Sequence, residues 1–127
     1  MNVHALVARS VRLHADGTVT LDGVGITSIV AASYPVSVSL PLHVHVENGE
    51  SEPRRLHELS LRVTLAGEPI GAPLRLPFLA RRSDQRSGAI LLITLALELQ
   101  HPGEVRVQGD VDGTPFPDIV VAAQSTT

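Results

Sequence analysis

His43-Val44-His45 places two imidazoles two residues apart, inside a stretch from Val36 to Glu47 that alternates apolar and polar residues. Residues i and i+2 of a strand project from the same face, so the two rings stand side by side. Imidazole binds Zn²⁺ or Ni²⁺, and two on one face chelate such an ion when a third donor converges. Glu50 is the first candidate for that donor, and Glu47 and His57 are others. The competing reading is two polar side chains on the solvent face of an edge strand, with no metal.

Other polar groups suggest less chemistry. Ser37 and Ser39 share the outward face of His43 and His45, but no G-x-S-x-G elbow is present to activate a serine. Asp16, Asp22, Asp110 and Asp112 raise the question of calcium. Their Asp-Gly pairs are accounted for by turns, and no loop offers oxygen ligands at alternate positions in sufficient number. Arg81, Arg82 and Arg86 surround Asp84 in a charged loop, suited to gripping an acidic partner or simply to being solvated. Thr18, Gly49 and Arg82 fall in or near loops, the places from which a ligand or lipid surface would be gripped. With no convergent catalytic set, the chain reads as non-catalytic and without a cofactor.

The elements that must carry these groups are strands. Val36, Val38, Leu40, Leu42, Val44 and Val46 form an inward set, with Pro41 marking an edge or a bulge because it has no donor. Leu59, Leu61, Val63 and Leu65 form another, and Ile70, Ala72, Leu74, Leu76 and Phe78 a third, with Pro73 and Pro77 outward, marking a further edge or an interrupted strand. The spine is Ser87 to Gly113. In it Ala89, Leu91, Ile93, Leu95, Leu97 and Leu99 line one face, and His101-Pro102-Gly103 turns the chain into a strand bearing Val105, Val107, Gly109 and Val111. Asp112-Gly113 is a hairpin turn into 114–123, and Asp16-Gly17 is one between a first strand over 3–13 and a second around Val19 and Leu21. Ile26 to Ala31 is a short apolar segment, Ala32 to Pro35 a corner, and Ala80 to Gly88 a mobile charged loop.

Ile90 and Leu92 are apolar on the outward parity of the spine, and Ile119 to Ala122 is apolar on both parities. Either a loop of the same chain covers these residues or they meet another subunit. Ile90, Leu92, Val120 and Ala122 are the expected interface.

Composition narrows the class. The 127 residues suit one domain over 1–127, with 1–2 and 124–127 frayed. Cysteine is absent, which excludes disulfides and thiolate chemistry. All ten basic residues are Arg, the net charge is −3, and only three residues are aromatic, a poor basis for holding nucleic acid. No apolar run approaches a membrane span and no leader pattern opens the chain, so the expected setting is the cytoplasm.

Three stretches resemble a family of small uncharacterised bacterial β-sandwich proteins. They are the A-L-V-A-R-S-V-R-L-H-A-D-G-T-V-T-L-D-G-V-G-I opening, the Y-P-V-S-V-S-L-P-L-H-V-H-V-E strand and the H-P-G-E-V-R-V-Q-G-D-V-D-G ending, within about Ala5 to Val121. Val105 stands where that family commonly has an aromatic. The resemblance implies a fold and no activity. The spacing His43, His45, Glu50 is also similar to the cupin H-x-H-x4-E pattern, without its framing glycines or a later histidine motif. The resulting expectation is an all-β protein, a single antiparallel β-sandwich of Ig-like or Greek-key type with about 8–9 strands. It would serve as an interaction or structural module, with itself or another protein as partner, no nucleic acid and no membrane span. The alternative is a cupin-like metal-binding enzyme or sensor using His43 and His45.

Overall fold

The computed structural model describes residues 2–16, 18–26, 28–50, 56–79, 81–83 and 86–126; at 48–50, 81–83 and 86–87 it gives the strand path and not the side chains. The strands are, in order, β1 (Asn2–Val7), β2 (Ser10–Leu13), β3 (Val19–Asp22), β4 (Ser28–Ala31), β5 (Val36–Glu50), β6 (Leu56–Leu65) and β7 (Glu68–Pro69). They continue as β8 (Leu74–Leu79), β9 (Arg81–Ser83), β10 (Arg86–Leu99), β11 (Gly103–Val111), β12 (Thr114–Pro115) and β13 (Ile119–Ser125). No helix occurs among the described residues.

The first sheet has the order β1-β5-β10-β9. The second runs β4-β13-β11-β6-β7, with β12 paired to β11 and β8 to β6, and β2 and β3 make a separate ribbon. Inward residues of both large sheets belong to one apolar cluster. Leu42, Val44, Val46 and Leu99 from the first meet Leu59, Leu61, Val105, Val107 and Val121 from the second. Each fully enclosed Leu or Val contributes about 1.5–3 kcal/mol relative to an exposed one. The alternation along β5 and β10 therefore selects which face of the first sheet turns inward.

Three expectations change. Among the described residues, thirteen strands in three sheets stand where eight or nine in a single sandwich were expected. The pairing is not wholly antiparallel, because β4 runs parallel to β13, with Ser28 opposite Ala122 and Val30 opposite Gln124. The stretches read as single strands over 3–13 and 114–123 are each divided in two.

Each division has a local cause. At Ala8 the chain leaves the first sheet, and Arg9 N–H donates to the Asp22 carbonyl at 2.8 Å, starting the ribbon. Between β12 and β13, Phe116 turns into the core beside Gly109 of β11. A Cβ on Gly109 would lie 2.5 Å from the Phe116 ring and 2.7 Å from Leu61, so the missing side chain is the space the ring fills.

Pro41 does not mark an edge strand, since β5 lies between β1 and β10. Its carbonyl accepts from Ala8 N–H at 3.0 Å, so Pro41 directs its backbone polar groups to the β1 side. The register of β1 with β5 ends at Val7 opposite Leu42. The missing donor thus faces the end of β1, and pairing of Pro41 with Thr94 of β10 is undisturbed. By contrast the stretch from Ile70 to Phe78, read as one strand, is interrupted: β8 begins at Leu74, which is 39% exposed, and with Pro77 in it pairs only with β6 among the described residues.

The chain ends and the charged loop also differ from expectation. Asn2 is paired with Glu47, and Gln124 and Ser125 with Val30 and Ala31, where fraying was anticipated. Within 80–88, β9 pairs with the start of β10, Ser83 opposite Arg86; Ala80, Asp84 and Gln85 lie outside the described residues. Among the described residues no helix is long and apolar enough to cross a membrane.

Candidate functional site

The outward face of the first sheet gathers residues from three neighbouring strands in two rows. Leu6 of β1, His43 of β5 and Leu92 of β10 make one row. His4, His45 and Ile90 make the next. Val44 between the rows is fully buried, so His43 and His45 point away from the core. Leu6, Ile90 and Leu92 remain 42%, 52% and 40% exposed. No loop among the described residues covers them, which leaves the first half of the outer face of β10 open.

The strand register adds an imidazole that the sequence pattern left out. His4 lies directly across from His45, with ring centroids 6.5 Å apart and planes inclined by 38°. His45 Nε2 is 3.7 Å from Glu47 Oε1. His43 has no carboxylate beside it among the described residues. Burial holds its pKa below the usual 6.5, and the nearby His45 lowers it further.

The proposed metal donors do not assemble in the same way. His43 and His45 share the face, but Glu50 lies where side chains are not described. His57 is on the inward parity of β6, 2% exposed, and so points away from the histidine pair. Among the described residues no three His, Cys, Asp or Glu side chains come together as a metal-binding group. Ser37 and Ser39 lie further along β5, opposite Glu98 and Ala96, and among the described residues neither bonds to a histidine.

His57 belongs instead to an enclosed polar corner. Its Nδ1 is 2.6 Å from Asp112 Oδ2, and its ring stacks on Phe78 at 5.5 Å. Asp112 Oδ1 accepts from the Glu58 N–H at 2.9 Å, while Asp112 N–H donates to the Glu58 carbonyl at 3.0 Å. Asp112 has φ +50° in the two-residue Asp112-Gly113 turn, a conformation Asp tolerates better than most residues. The carboxylate both shapes the turn and closes the start of β6. His57 shares the parity of Leu59 and Leu61, so its inward direction was readable, but its partner 55 residues away was not.

The other aspartates have local partners. Asp16 accepts from the Thr18 hydroxyl at 2.6 Å and its N–H at 2.9 Å, which holds the carboxyl below its ordinary pKa. Asp110 Oδ1 accepts from Gly113 N–H at 3.0 Å. Asp22 accepts from Ser10 at 3.3 Å. These bonds are those of turns and ribbons, not of a calcium loop. Arg81, Arg82 and Arg86 have described strand positions, but their side chains fall outside the description, as does Asp84.

Val120 and Ala122 lie elsewhere. Val121 and Ala123 are buried, so Val120 and Ala122 are on the outward face of the second sheet, across the core from Ile90 and Leu92. The four expected interface residues are therefore two pairs on opposite sides of the molecule. Val120 is 43% exposed but stands beside Arg106. That guanidinium donates to Glu104 Oε1 at 2.6 Å and Asp118 Oδ2 at 2.9 Å. Glu58, Arg62 and Arg75 continue this charged outer surface.

No protein-family model matches this chain, and no curated protein matches it.

Proposed function

We propose that this chain is a non-catalytic interaction module, a β-sandwich whose two layers are the larger sheets, and that it pairs with a second copy of itself through the outward face of β1, β5 and β10. The observation that carries this reading is the group Leu6, Ile90 and Leu92, exposed on adjacent strands around His43 and His45. Apolar side chains that stay wet in one copy lose that contact with water when two copies meet.

The choice of a second copy follows from charge and symmetry. A two-fold interface must complement itself. Across its two central rows this face carries imidazoles and aliphatic groups and no carboxylate or guanidinium, with Glu47 at the margin. A two-fold axis running along β5 exchanges the strands on either side of it. Leu6 of one copy then meets Leu92 of the other, and His4 meets Ile90. The second sheet's outer face offers Arg106, Glu104 and Asp118, which are already joined to one another.

Sedimentation velocity of the untagged chain at pH 7.5 tests the reading. The expected result is a dimer that Leu92→Arg converts to monomer, with dissociation constant raised about 100-fold or more, as for a buried central contact. Val120→Arg, on the opposite face, leaves the dimer intact. A monomer at every concentration, or a dimer lost with Val120→Arg and kept with Leu92→Arg, would overturn it.

A further inference from the structure

Along most of β10 the first sheet stops one strand short. Pro41 turns its backbone groups to β1, so Leu40, Leu42 and Val44 of β5 turn theirs to β10, where Leu95, Ile93 and Leu91 meet them. Ile90, Leu92, Thr94, Ala96 and Glu98 therefore hold their N–H and C=O groups toward the far edge. β9 covers only the start of that edge, its last pair being Arg81 with Gly88. Beyond it nothing among the described residues pairs with β10 on that side. We infer that this edge takes up an extended segment of another protein as an added strand, apolar at alternate positions and with arginine or lysine where it reaches Glu98. The inference goes beyond the pairing of copies and does not rest on it.

The core beside this edge is thin, as a missing strand would leave it. β8 ends at Leu79 and β9 begins at Arg81, so β8 of the second sheet lies on the same side of the molecule as the open edge. Leu74 and Leu76 of β8 stand opposite Leu61 and Leu59 of β6 and share their inward parity. Leu61 and Leu59 are buried, whereas Leu74 is exposed and Leu76 half-buried. The first sheet repeats the contrast: Leu42 and Val44 are buried, but their partners Ile93 and Leu91 are half-buried. A strand laid in line with β9 presents every second side chain to this uncovered part of the core.

The other sheet edges among the described residues are short or interrupted. β4 has four residues and β1 six, while β7 and β8 hold Pro69 and Pro77. Short strands, prolines, charges and bulges are the ordinary protection against strand addition. From Ala89 to Leu97 β10 has no proline, glycine or charged residue, and its register shift lies earlier, between Ser87 and Gly88.

The far end of the edge sets the partner's charge. A recess of about 360 Å³ opens there between Ile70 and Gly71, which lead toward β8, and Glu98 and Gln100 at the end of β10. Glu68 and Leu65 also line it, and among the described residues no arginine does. Gln100 Nε2 donates to Glu98 Oε1 at 3.0 Å, which holds that carboxylate at the mouth of the recess. An aliphatic stem with a cationic head matches this mixture of apolar wall and carboxylates. β10 of a second copy does not, because 89–99 contains no basic residue.

The experiment is amide hydrogen exchange, followed by NMR, on the full chain alone and with a synthetic peptide of about nine residues, arginine followed by alternating valine and threonine. Laid antiparallel to β10, as β9 is, its arginine reaches Glu98 and its valines face the core. The peptide is expected to slow exchange at Ile90, Leu92, Thr94, Ala96 and Glu98 by about tenfold or more. Thr94→Pro removes an N–H that makes no bond to β5 and sets a ring in the partner's path, so it is expected to weaken peptide binding about tenfold or more in a chain that still folds. Leu74→Asp lies outside the β10 ladder and is expected to weaken binding as well, which keeps the test open if Thr94→Pro does not fold. Exchange at these amides unchanged by the peptide at about 1 mM, or equal binding by the native chain and the folded variants, overturns the inference. Protection of the same amides in the chain alone, growing with its concentration, also overturns it, because a second copy then fills the edge.

Discussion

The histidines of this protein occupy two contrasting settings. His57 is enclosed between Phe78 and the Asp112 carboxylate, and its neighbour Glu58 completes the ring of backbone bonds around that carboxylate. His43 and His45 lie on an open face with aliphatic neighbours and one carboxylate at the margin. The same side chain is a fixed strut in one place and a titrating surface group in the other. What differs is the company: a buried imidazole needs a partner for its polar atoms, and one on a half-covered sheet face does not.

The largest expected effect falls on the enclosed corner. His57→Ala removes the ring against Phe78 and the Nδ1 contact of Asp112, and is expected to lower folding stability by about 2–4 kcal/mol in urea unfolding. The dissociation constant of the proposed dimer, compared under conditions where both proteins are folded, is expected to stay within about twofold, because the corner does not reach the outer rows. A change in association as large as that from Leu92→Arg would erase the distinction between the two settings. Leu92→Arg is expected to show the reverse pattern, with monomer stability within about 0.5 kcal/mol of the parent.

A smaller effect sharpens the contrast through pH. His43 binds its proton less readily in the folded chain than in the unfolded one. Its contribution to stability is complete above about pH 6.5 and declines as pH falls below that value, because the unfolded chain then takes up the proton first. The melting temperature of the native chain should therefore fall more between pH 6.5 and 5.5 than that of His43→Gln. Equal declines would remove His43 from the titrating setting. The smallest effect is on the far face. Arg106→Ala breaks two exposed ion pairs, which solvent screens, and is expected to leave the urea unfolding midpoint nearly unchanged without altering association.

Much of the strand pattern was readable along the chain. Leu95, Leu97 and Leu99 are buried and Thr94, Ala96 and Glu98 exposed, as their parity required. Asp112-Gly113 is the turn its residues specify. The misreadings came where one residue serves a distant part of the fold. Pro41 looked like an edge because its missing donor was judged without knowing where β1 would end. Gly109 read only as one more position in line with Val105, Val107 and Val111, and Phe116 fills the space beside it from beyond the next turn. The candidate face was half legible: His43, His45, Ile90 and Leu92 were picked out, but His4 and Leu6 joined them only through the register of β1, and Val120 and Ala122 left them for the opposite side.

Alternation and turn chemistry by themselves determined that this chain is built of strands, which residues face inward along β5 and β10, and where several of the turns fall, since these depend on neighbours one to four residues apart. Only the tertiary structure decided which strands lie side by side. That choice brought His4 to His45, joined His57 to Asp112, and put Val120 on the far side of the core from Ile90. The physical reason is that strand pairing couples residues tens of positions apart, and a pattern with a period of two carries no record of its partner.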